Sequence, residues 1–205
     1  MTKSILLFLC LSTSLFLNPI AEDWELTTEK EGIQVFTRYS EASNFKEVRI
    51  KLTIANDMSK LIAFLNDVPK YKSWVYKCIA AEELGREDAQ NYTYYVETDM
   101  PFPLQNRDLV VKSKSWKDPV TGIVMSKSVA AQDVMPKKNG IVRIPAYESS
   151  WRIEPLGPNK TFIDYKVKTD PGGSLPAWIV NMGVTIGPVK TMQALRKELD
   201  QFASN

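Results

Sequence analysis

Few residues in this chain could do chemistry. It has no histidine, which removes the commonest general base near neutral pH and the commonest zinc ligand. Cysteine occurs at Cys10 and Cys78, and Cys78 sits in the apolar run Cys-Ile-Ala-Ala, the setting of a buried structural thiol more than of a reactive one. The turn Gly172-Gly-Ser-Leu-Pro176 has the outline of a nucleophile elbow. Pro176 stands where the final glycine of that motif belongs, so the stretch reads as a turn that launches a helix. No glycine pattern of a dinucleotide or phosphate loop is present. Arg107 and Asp108 stand side by side where a strand begins. They could contact a ligand or a gate, or form a charge pair that pins the Pro101–Pro103 corner. Tyr92, Tyr94 and Tyr95 could stack on a ligand, although aromatic residues also favour strands in their own right. The two most distinctive stretches, Met100–Val110 and Asp170–Asn181, hold no nucleophile, metal-ligand set or phosphate loop. They offer no group for covalent chemistry, and neither a cofactor nor a metal is expected.

Composition sets outer limits. The chain has 205 residues, 44% apolar and 24% charged, which suits one domain with its own core. Lys and Arg number 26 against 24 Asp and Glu, so the net charge of +2 gives no electrostatic case for nucleic acid. Lys3 followed by an apolar run to Leu17 resembles a secretory signal peptide and is short for a membrane span. A cleavage after Ala21 divides the chain into a signal segment, residues 1–21, and one domain, residues 22–205. It also removes Cys10 and leaves no partner for a disulfide. The expectation is export, periplasmic or secreted; an uncleaved segment would tether the protein to the membrane. Asn91-Tyr-Thr93 and Asn159-Lys-Thr161 match glycosylation acceptors, which matter only in a eukaryotic secretory pathway.

The elements follow from periodicity. Ile33–Tyr39 and the alternation of Val48, Ile50, Leu52 and Ile54 predict an antiparallel hairpin with Glu47, Arg49 and Lys51 on its wet face. Asn56 or Asp57 caps a helix through Leu61, Ile62, Phe64 and Leu65, which Pro69 ends. A short helical piece surrounds Trp74. Strands are expected at Cys78–Leu84, Tyr92–Thr98, Leu109–Trp116, Ile123–Ala130, Ser149–Glu154 and Thr161–Thr169. One long helix is expected from about Leu175 to Ala203. Its apolar stripe includes Leu175, Trp178, Met182, Ile186, Met192 and Leu199, and a kink is expected where Gly183, Gly187 and Pro188 interrupt it. The pattern fits an α+β domain, a curved antiparallel sheet with a helix across its concave face.

Trp24, Gly32-Ile-Gln-Val-Phe36, Asp67 to Trp74, Met-Pro-Phe-Pro-Leu-Gln-Asn-Arg-Asp at 100–108, Gly140-Ile-Val-Arg143, Tyr147 and Asp170–Asn181 occur in one order along the chain. That ordered set resembles the START family of lipid-transfer domains, and within it the phosphatidylcholine-transfer branch, from Trp24 to about Phe202. The resemblance implies a helix-grip fold whose sheet and final helix enclose a tunnel for one lipid or sterol-like molecule, with binding and transfer as the activity. The head-group positions of phosphatidylcholine binders depart from the pattern. An arginine corresponds to Tyr71, an aspartate to Val75, and two aromatic positions to Val96 and Leu109; Tyr147 stays aromatic. A quaternary ammonium needs aromatic faces and a buried phosphate needs a positive partner, so a neutral or weakly polar ligand suits these residues better. The basic member of the acid–base pair of sterol binders falls on Ser113.

On this basis the tunnel is expected to be lined by Tyr94, Val96, Leu109, Val111, Ser113, Tyr147 and Tyr165, with Trp178, Met182 and Ile186 from the helix. Arg107 and Asp108 form the corner, and Gly172, Gly173, Gly187 and Pro188 a gate. Sterol, fatty acid, neutral glycerolipid and another isoprenoid remain open as ligands. A monomer with transient membrane contact is expected. An enzyme of the polyketide cyclase or aromatase type, which shares the helix-grip architecture, is the alternative.

Overall fold

The computed structural model describes residues 23–40 and 43–202. The expected signal segment lies outside the described residues. The strands are β1 Glu25–Lys30, β2 Ile33–Ser40, β3 Ser43–Ile54, β4 Cys78–Arg86, β5 Asn91–Thr98, β6 Arg107–Lys117, β7 Val124–Ala130, β8 Val142–Arg143, β9 Ala146–Gly157 and β10 Lys160–Asp170. The helices are α1 Met58–Leu65, α2 Tyr71–Trp74, α3 Ala177–Gly183 and α4 Ile186–Phe202. One sheet runs in the order β1-β2-β3-β10-β9-β7-β6-β5-β4, antiparallel throughout, and β8 adds a short parallel pairing beside β6.

Hairpin chemistry fixes most of this order. Glu31 and Gly32 both take positive φ between β1 and β2, 54° and 72°, a tight reversal that glycine eases. In β3 the inward side chains Val48, Ile50, Leu52 and Ile54 are buried. The outward face is less wet than the sequence suggests. Arg49 is held by Asp164 at 2.7 Å and Arg38 by Glu47 at 2.7 Å, and the Arg38 guanidinium lies 4.5 Å from the Trp24 ring centre. Asp57 caps α1 as expected, its carboxylate accepting from the Ser59 amide at 2.8 Å.

The C-terminal region departs from the sequence reading in one respect. The single kinked helix is two helices, separated at Val184 and Thr185. Pro188 is the third residue of α4, in a first turn whose amides have no intrahelical acceptor, so it breaks no helical hydrogen bond there. Only the later part of the predicted stripe enters the core: Val189, Met192, Leu195 and Leu199 are buried. α3 docks through a polar residue instead. Asn181 accepts from the Lys46 amide at 2.9 Å and donates to the Asn44 carbonyl at 3.0 Å.

Candidate functional site: an internal cavity

Side chains from β3, β5, β6, β7, β9 and β10 meet side chains of α1, α2 and α4 around one cavity of about 400 Å³. Strands so far apart in the sheet can share a wall only if the sheet curves around it. Alternation then decides which residues look inward. On β6 these are Arg107, Leu109, Val111, Ser113 and Ser115; on β5 they are Tyr92, Tyr94, Val96 and Thr98; on β10, Tyr165, Val167 and Thr169. The helical side contributes Tyr71 and Trp74 from α2, and Gly187, Pro188, Thr191 and Met192 from α4.

The wall has distinct polar regions. Ser128 of β7 donates to Ser113 at 3.0 Å, and Ser115 and Ser126 lie beside that pair in the register of the two strands. Tyr147 donates to Ser149 at 2.9 Å, and its hydroxyl is 3.5 Å from that of Tyr165. Burial pushes the phenols of Tyr71, Tyr94, Tyr147 and Tyr165 up from their ordinary value, so they stay neutral hydroxyls at physiological pH. Tyr71 donates to the Leu65 carbonyl at 2.8 Å, and its ring stands edge-on to Trp74 and Tyr94 at 5.3 and 5.4 Å. The buried Trp74 Nε1 has no partner among the described residues. The wall thus offers apolar surface, neutral hydroxyls and, at the start of β6, the Arg107 guanidinium. Among the described residues no group of three or more His, Cys, Asp or Glu is placed to hold a metal ion.

The structure places Tyr94, Val96, Leu109, Val111, Ser113, Tyr147 and Tyr165 on the cavity wall. It does not place Trp178, Met182 or Ile186 there: they are 66%, 73% and 52% exposed. Trp178 and Met182 belong to the separate α3, and Ile186 is the first residue of α4, before the helix enters the core at Val189. Tyr71, Trp74, Ser128 and Trp151 also line the cavity and were not among the predicted wall residues. The β7 alternation Val124, Ser126, Ser128 carried a signal for Ser128; nothing local distinguished Trp151 from an ordinary core aromatic.

Arg107 and Asp108 do not pair with each other, because successive strand residues point to opposite faces. Asp108 faces outward and is gripped by Arg143 at 2.7 and 3.0 Å. Asn106 holds the Pro101–Pro103 corner, accepting from the Met100 amide and donating to Glu97, each at 3.1 Å. Gly172 and Gly173 both have positive φ, 67° and 70°. A Cβ on Gly172 would stand 2.9 Å from Pro145 Cδ and 3.2 Å from the Arg143 carbonyl oxygen, so this turn is closely packed. Gly187 and Pro188 border the cavity, and a Cβ on Gly187 would touch the Tyr76 ring at 3.5 Å. Cys78 is buried and its thiol is raised by desolvation.

The architecture agrees with known proteins. The START domain pattern matches residues 20–204. An uncharacterised protein of Pseudomonas aeruginosa is 31% identical over 184 residues, covering 90% of both chains. The phosphatidylcholine transfer protein of Mus musculus is 26% identical, covering 88% of this chain and 85% of its own. Among solved structures, the STAR-related lipid transfer protein of Xanthomonas axonopodis superposes with a TM-score of 0.81 at 29% identity, covering 87% of this chain and 99% of that one. A helix-grip sheet closed by its last helix around a cavity, with the family pattern matched along nearly the whole chain, makes this protein a member of the START domain family.

Proposed function

We propose that the protein binds one lipid or sterol-like molecule in the cavity and carries it through water between membranes. The observation that carries this reading is the cavity itself, about 400 Å³, walled by apolar and hydroxyl side chains. That volume lies in the roughly 300–1,000 Å³ range of small-molecule sites. Removing apolar ligand surface from water contributes about 25 cal/mol per Å², which an enclosed wall can supply and an open groove cannot fully. The protein acts as a monomer, outside the cytoplasm. The exposed Trp178, Ile179, Met182 and Ile186 on α3 and the start of α4, with Phe102 at the corner, support brief contact with a bilayer. Passage of the ligand requires a transient opening. The short α3, the Gly172-Gly173 turn and the Gly187-Pro188 start of α4 are its candidate gate.

Native mass spectrometry of gently purified protein tests the reading. A co-purifying lipid of defined mass is expected. An empty cavity, together with turnover of a poly-keto chain, would overturn it in favour of a cyclase-type enzyme.

A further inference from the structure

Among the described residues, Arg107 has no counter-charge on the cavity wall where it stands. Its side chain faces the same way as Leu109, Val111 and Ser113, and the residue is 5% exposed. Nη1 donates to the Gln105 carbonyl, while Nε is buried with no partner among the described residues. The neighbouring carboxylates are engaged elsewhere: Asp108 with Arg143 across the sheet, and Glu97 with the Tyr95 hydroxyl at 2.9 Å and the Asn106 amide at 3.1 Å. Burial lowers the Arg107 pKa, the direction expected for a charge with nothing opposite it. A guanidinium stays protonated and carries five donors in a planar fork that matches a carboxylate or phosphate. Leaving part of that fork buried without an acceptor is costly. An anion arriving with the ligand removes that cost.

We infer that the Arg107 end of the cavity receives the anionic head of a single-chain amphiphile, a carboxylate or a phosphate monoester. The inference rests on the lipid-binding reading above and specifies the ligand class. Between Arg107 and Ser113 the strand advances about 20 Å at its usual rise, and the inward residues between them are Leu109 and Val111. That layout places a charged head at one end and an apolar body along the strand. The volume of about 400 Å³ falls near the lower end of the roughly 300–1,000 Å³ range, which favours one chain over two. Arg107 is too enclosed to meet the head groups of an intact bilayer, so its anion comes with the molecule inside.

The test compares three probes on the full delipidated protein: palmitate, palmitoyl lysophosphatidic acid and the neutral hexadecanol, by displacement of a fluorescent lipid. The wild type is expected to bind at least one anion about tenfold or more tightly than hexadecanol, the scale of a hydrogen bond to a charged group. Preference for palmitate assigns the carboxylate; preference for the lysophospholipid assigns the phosphate. In Arg107→Gln the ratio of anion to alcohol affinity should collapse towards one, and Arg107→Lys should restore part of it. Equal affinity of all three probes in the wild type overturns the inference while leaving lipid binding intact, and this comparison needs no variant to fold. An anion preference that survives Arg107→Gln also overturns it. Failure of all three to displace the bound fluorescent lipid also overturns the inference and leaves lipid binding intact, whereas a protein that takes up neither the fluorescent lipid nor any probe overturns the reading on which it rests.

Discussion

Arg107 and Arg143 lie close together at the start of β6 and in β8, both buried, yet they live in opposite environments. Arg143 sits on the outer face of the sheet with every nitrogen engaged. Two contacts go to Asp108 at 2.7 and 3.0 Å, and others to the carbonyls of Gln132, Met135 and Pro136 at 3.4, 3.1 and 3.2 Å. The adjacent carboxylate raises its pKa. Arg107, on the inner face, has a single carbonyl acceptor among the described residues, and burial lowers its pKa. One strand therefore carries a satisfied charge on one side and an unsatisfied one on the other. The outer face is a lock on the segment 131–145, whose Lys138 Nζ lies 4.0 Å from the Tyr95 ring centre and whose Ala131 amide donates to the Val110 carbonyl at 2.8 Å; the inner face borders the cavity. Saturated polar networks specify structure, and unsaturated ones in a cavity await a partner.

Breaking the lock should have the largest effect. Arg143→Met leaves the Asp108 carboxylate buried without its cation, and a loss of about 3–5 kcal/mol is expected in chemical denaturation. Asp108→Asn in the same background should recover part of it, because the uncompensated charge is gone. No recovery would mean that the carbonyl contacts of Arg143, not the ion pair, hold the segment.

The turn that leans on the lock comes next. Gly172→Ala forces a Cβ into Pro145 and the Arg143 carbonyl at a positive φ. About 1–3 kcal/mol of destabilisation is expected from thermal or denaturant melts. A neutral result would show that the turn yields readily, strengthening its place in a gate.

On the inner face the balance reverses. Val111 is fully buried on the cavity wall. Val111→Trp should place its ring in the open space, reduce lipid uptake and change stability little. If the site were close-packed core, overpacking would cost about 1–3 kcal/mol instead. Strong destabilisation with unchanged uptake would mean that the cavity does not extend to Val111.

The smallest effect on stability belongs to the exposed helix. Trp178→Ser with Met182→Ser should leave the melting curve within about 0.5 kcal/mol of the parent. Transfer between vesicles should slow while equilibrium binding holds. Equal transfer rates would remove α3 from the membrane contact and point to Phe102.

Much of this was legible in the sequence. The alternation Leu109, Val111, Ser113, Ser115 chose the inward face of β6 correctly, because a period of two admits only two faces and one of them carried Lys112 and Lys114. The order of motifs from Trp24 to Phe202 identified the family. The helix stripe misled in its first half. Trp178, Met182 and Ile186 have the spacing of core residues, but periodicity records that a helix has an apolar face, not what that face meets.

The sequence by itself determined the family, the α+β class, the inward faces of β3 and β6 and the absence of histidine, because these depend on residue identity and local spacing. Only the tertiary structure decided that Asp108 belongs to Arg143, thirty-five residues away, that Ser113 meets Ser128, and that Arg107 meets no carboxylate among the described residues. Those are matters of which chain segments lie side by side. A strand residue's face follows from its parity, but its partner follows from the register and curvature of the sheet, and these are set only when distant strands come together around the cavity.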